Sequence, residues 1–108
     1  MVQRVGGRSF AEYVRQEVLL PLWLEDCWVG MPGERYRAYS PRLSGFCDIS
    51  GGKVQRQEFW EGKPTATRCL PAGGGQGPMR ELCLLCELLL ASGGELLAAE
   101  TVRLFTSR

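Results

Sequence analysis

Pro78-Met79-Arg80-Glu81-Leu82-Cys83-Leu84-Leu85-Cys86-Glu87-Leu88-Leu89-Leu90-Ala91 is the stretch whose reading decides the fold. Proline suits the first position of a helix, where its missing N–H costs nothing, and Ser92-Gly93-Gly94 supplies a glycine stop. The run therefore predicts a helix over 78–91. At about 100° per residue, Met79, Leu82, Leu85, Cys86 and Leu89 form the main apolar face, and Arg80, Glu81 and Glu87 define a narrow polar wedge. Leu84 and Leu88 fall inside that wedge. Such a helix is either central in its own domain or half-buried against a partner chain.

Outward from this helix, the 108 residues suffice for one domain with a modest core. A hydrophobic content of 44% is that of a globular chain, and a net charge of +1 gives no global attraction to nucleic acid or anionic membrane. No apolar run approaches the ~18 residues of a membrane span, and no secretory leader is visible, so a cytoplasmic or nuclear protein is expected. Five cysteines without secretory context point to reduced thiols. The cations are almost all arginine, the planar, bidentate one.

Upstream, residues 1–8 read as a flexible lead-in. Ser9-Phe10-Ala11-Glu12 is a capping box that should start a helix of about residues 10–20, with Phe10, Val14 and Val18 on one face. Pro21 cannot donate to Glu17 and ends or kinks it. Leu19-Leu20-Pro21-Leu22-Trp23-Leu24 is a second apolar concentration, followed by Trp28. Glu34 to Ser40 reads as a short edge strand. Phe46 to Trp60 reads as a hairpin turning at Ser50-Gly51-Gly52, and Thr65 to Leu70 as a further strand. Residues 71–77 form a glycine-rich loop, and the β-branched and aromatic content of 101–106 suggests a closing strand. The order implies an α+β domain in which two helices pack on a small antiparallel sheet.

Chemistry has little foothold. Without histidine the commonest general base and metal ligand is missing, and no serine, threonine or cysteine lies in a nucleophile motif. Cys83-Leu84-Leu85-Cys86 has zinc and redox spacing, yet there is no second pair, and leucine neighbours predict buried, inert thiols. The glycine loop lacks the Gly-Lys-Ser/Thr ending of a phosphate loop. No catalytic residue, metal or cofactor is implied. The reading that remains is a non-enzymatic protein-interaction module, binding another chain or a second copy through Leu84, Leu88, Trp23 and Trp28, because large apolar side chains outnumber what a small core covers. The alternative is an accessory single-strand nucleic-acid binder using Arg35, Tyr36, Arg37, Tyr39 and Arg42.

Overall fold

The computed structural model describes residues 2–107. It is a mixed α+β structure with helices at both ends of the chain and short antiparallel pairing between them. The chain falls into two compact units, one made of Met1–Trp28 with Gly77–Arg108 and the other of Val29–Gln76.

The first unit begins with α1 (Val2–Gly6), a helical turn where a flexible lead-in was expected. Helix α2 (Phe10–Val14) starts at the capping box: Glu12 N donates to Ser9 Oγ at 3.2 Å and Ser9 N to Glu12 Oε2 at 3.0 Å. These bonds to Ser9, with the nearby Arg8 charge, hold the Glu12 carboxyl below its ordinary value. A π-helical turn over Arg15–Leu19 follows, its wider repeat carried by Leu20 N donating to Arg15 O and Leu24 N to Leu19 O. Helix α2 and this turn together cover the helix expected over about 10–20, and regular winding stops ahead of Pro21.

Leu19, Leu24 and Cys27 are buried, with Val14, Leu22, Leu82 and Leu85 packed against them. The last two come from the decisive stretch, which forms a twelve-residue helix, Met79–Leu90, with Pro78 as its cap. The final helix, Ala99–Thr106, replaces the strand expected over 101–106. Its β-branched residues are compatible with helix: Val102 turns into the interior, and Thr106 Oγ1 donates to Val102 O at 2.9 Å.

The short strand β1 (Trp28–Val29) straddles the boundary in sequence between the two units, and in the second unit the edge strand expected over Glu34 to Ser40 is instead helix α3 (Gly33–Tyr39). Pro32 has the extended backbone of a cap, and Glu34, Arg35, Arg37 and Ala38 favour helix, so local propensity outweighs the arginine–aromatic alternation. A 3-10 turn, Ser40–Arg42, carries Pro41 near its start. The hairpin is present over fewer residues than Phe46 to Trp60, as β2 (Cys47–Asp48) and β3 (Gln55–Arg56), antiparallel with Cys47 opposite Arg56, and Glu58 to Trp60 are helical instead. Helices α4 (Glu58–Glu61) and α5 (Lys63–Thr67) follow. The latter replaces the strand expected over 65–70, since Pro64 fits a first helical turn and Thr67 Oγ1 bonds back to Lys63 O. Met31 and Ala66 are buried, and Met31 N donates to Ala66 O at 2.9 Å. Strand β4 (Gly75–Gln76) pairs with β1; the Met79–Leu90 and Ala99–Thr106 helices are then α6 and α7.

Candidate partner-binding site

Leu22, Trp23 and Leu24 are consecutive apolar residues, yet they do different things. Trp23 N donates to Leu20 O at 2.9 Å, closing a turn around Pro21, and Trp23 then takes a left-handed backbone, φ 59°. That conformation is unusual for a bulky L-residue and costs on the order of 1–2 kcal/mol. The reversal sends Leu24 fully inside and leaves Trp23 79% exposed.

The loop after Trp23 is held from two sides. Arg15 Nη1 donates to Leu24 O at 2.9 Å and Cys27 O at 3.1 Å, and its guanidinium lies 4.1 Å from the centre of the Trp28 ring. From α6, Glu81 Oε2 accepts from Asp26 N at 2.9 Å. Glu81 is only 7% exposed, which corrects its assignment to the solvated wedge of the helix. A buried carboxylate is tolerable there because the loop supplies donors. Burial first, then a hydrogen bond to Glu81 and that carboxylate's charge, push the Cys27 thiol up to about 11, with Arg15 opposing. A thiol in that state is a poor nucleophile at neutral pH.

Between this loop and α6 lies an open groove of ≈ 420 Å³ lined by Trp23, Glu25, Asp26, Arg80, Glu81 and Leu84. Its charged rim holds three carboxylates and one guanidinium. Arg80 Nη2 stands 3.8 Å from Asp26 Oδ2 and 3.9 Å from Glu81 Oε1, while its side chain is 79% exposed, so it spans the carboxylates loosely.

Of the four residues expected to bind a partner, Trp23 and Leu84 meet in this groove. Trp28 is half-buried beneath Arg15, and Leu88 is half-buried toward Gly94, so neither lines it. Cys83 and Cys86 are exposed, which overturns their expected burial. The inward stripe of α6 is Glu81, Leu82 and Leu85, and the two cysteines lie about 100° round from the two leucines.

The arginine–tyrosine set is rearranged by α3. Tyr36 and Tyr39 are now three residues apart on one helix face, both half-buried, and Tyr36 Oη donates to Glu61 O at 3.1 Å. Arg42 sits 5.4 Å from the centre of the Tyr39 ring, and Arg35 and Arg37 are exposed. Neither tyrosine presents a fully open stacking face. Glu61 organises this unit: it accepts from Phe46 N at 2.6 Å and binds Arg56 through two nitrogens, and these bonds keep its carboxyl below the ordinary range, Arg56 contributing most. Beside it Phe59 packs edge-on to Trp60 at 5.4 Å, with Phe46 6.2 Å from Trp60.

Sequence reasoning missed Arg15, Glu25, Asp26, Arg80 and Glu81 as parts of the site. The adjacent acids Glu25-Asp26, two positions after an unburied tryptophan, were the available signal. Among the described residues no group of three or more histidine, cysteine or carboxylate side chains could hold a metal ion, and no helix is long and apolar enough to cross a membrane. Comparison with protein-family models, with curated proteins and with solved structures finds no match.

Proposed function

We propose that the chain is a non-enzymatic protein-interaction module, a small subunit or adaptor of a cytoplasmic or nuclear complex, and that it binds its partner through the Trp23–Leu84 groove. The observation that carries this reading is Trp23: a tryptophan 79% exposed on a left-handed turn, beside an exposed leucine, in a groove whose walls are pinned by Arg15 and Glu81. Exposed tryptophan contributes nothing to a core, whereas it is the side chain most enriched among interface hot spots. Cysteines that are all unpaired agree with a reducing compartment.

Replacing Trp23 by a photoreactive phenylalanine analogue in the full chain, in cells, tests this. Crosslinking should join position 23 to a single protein and should disappear on Leu84→Glu, because a carboxylate in an apolar contact is heavily penalised. The same analogue at Leu90, exposed on the far part of α6, should not give that product. Absence of any product from position 23, or one that survives Leu84→Glu in a variant whose circular dichroism is unchanged, would overturn the proposal.

A further inference from the structure

We infer that the groove takes a basic peptide segment of the partner, an arginine or lysine beside an apolar anchor, with the cation displacing Arg80 from the Asp26 and Glu81 carboxylates. The inference rests on the protein-interaction reading and adds the chemistry of the occupant. Three features of the groove point the same way. Its rim of Glu25, Asp26, Glu81 and Arg80 sums to a net charge of −2, so an acidic segment is repelled and a cationic one drawn in. The exposed indole of Trp23 offers a π-face to a cation that approaches those carboxylates. Arg80 marks where the positive charge is accommodated. It lies beyond hydrogen-bonding distance of both acids and projects into solvent, so its own hold on them is weaker than the shorter, paired bonds an incoming guanidinium can make. Leu84 supplies the apolar floor for the neighbouring side chain. Glu81 accepts from Asp26 N, so it fixes the loop as well as contributing charge and is left in place, and Glu25 and Asp26 are the rim acids to substitute.

The test uses the full chain and an array of random twelve-residue peptides, followed by titration of the best binder while the indole N–H resonance of Trp23 is monitored. Selected peptides should carry arginine or lysine next to leucine, phenylalanine or tryptophan, and their binding should weaken as salt is raised. Glu25→Gln with Asp26→Asn should weaken binding roughly two- to five-fold per charge. Arg80→Gln should strengthen it by a similar factor, a gain that damage to the fold cannot produce. Selection of neutral or acidic peptides, or weaker binding by the Arg80→Gln chain, overturns the basic-peptide assignment while leaving the module itself standing. Concentration-dependent dimerisation that shifts the Trp23 resonance without added peptide overturns it in favour of a second copy. If no peptide binds and position 23 also gives no crosslink in cells, both readings fall.

Discussion

At the scale of single residues, Trp23 sets local stability against the proposed contact. Asparagine tolerates the left-handed region far better than tryptophan, and an indole this exposed adds little packing. Trp23→Asn should therefore raise stability by a few tenths to about 1 kcal/mol in thermal unfolding while abolishing the crosslink formed by the same photoreactive analogue placed at Glu25 of the groove. A destabilised variant would show that the ring is held by packing instead. Cys27 supplies a pH signature. Below the ordinary thiol value folded and unfolded chains both keep the proton. Above it the unfolded chain releases the proton first, so stability falls as pH rises from about 9 to about 11, where the folded thiol ionises. Cys27→Ala should flatten that decline in denaturant titrations across this window. In native protein a thiol reagent should label exposed Cys83 and Cys86 quickly and Cys27 only on unfolding, as mass spectrometry of the labelled peptides would read.

At the scale of elements, the joint between the glycine loop and α6 is tighter than its composition suggests. A Cβ on Gly77 would overlap the Cys27 sulfur and stand 3.1 Å from the Cys27 Cα, so backbone has to move. Gly77→Ala should cost roughly 1–3 kcal/mol in denaturant unfolding, whereas alanine at Gly75, which has open space, should be far milder. The elements that the sequence revealed are those with local punctuation. Ser9 and Glu12 capped α2, Pro78 and Gly93 bounded α6, and Gly51-Gly52 turned the hairpin, each acting within a few residues of itself. The failures at Glu34–Ser40, 65–70 and 101–106 share a cause. Short runs of β-branched or aromatic residues were weighed by strand preference, which is a statement about packing on a pleated face, and neither two-stranded sheet takes these segments in. Glu81 was illegible for a related reason, because the donor that makes its burial tolerable lies 55 positions away.

At the scale of the whole molecule, apolar side chains are unevenly invested. Among the described residues six hydrophobic residues are buried and fourteen large ones are exposed, an imbalance that composition alone had suggested. Burial is concentrated in the first unit, around Leu19, Leu24, Cys27 and Val102, while the second has Met31 and Ala66. Native-state hydrogen exchange should accordingly find the slowest amides at Leu24, Leu82 and Leu85, with the second unit exchanging earlier and Met31 its best-protected position. Slower exchange across the hairpin than across α6 would contradict this distribution. The groove's composition was half legible, since Trp23 and Leu84 stood out by size; its rim was not, because neighbours across a chain reversal carry no mark in sequence. The two-part make-up of the first unit also has a consequence for biosynthesis. Leu19, Leu24 and Cys27 emerge early, but Leu82 and Leu85, which pack on them, follow only after the whole of Val29–Gln76 has been translated. At roughly 5–20 residues per second the nascent apolar run spends several seconds without its complement, a window in which a chaperone can reach Trp23 before the chain leaves the ribosome.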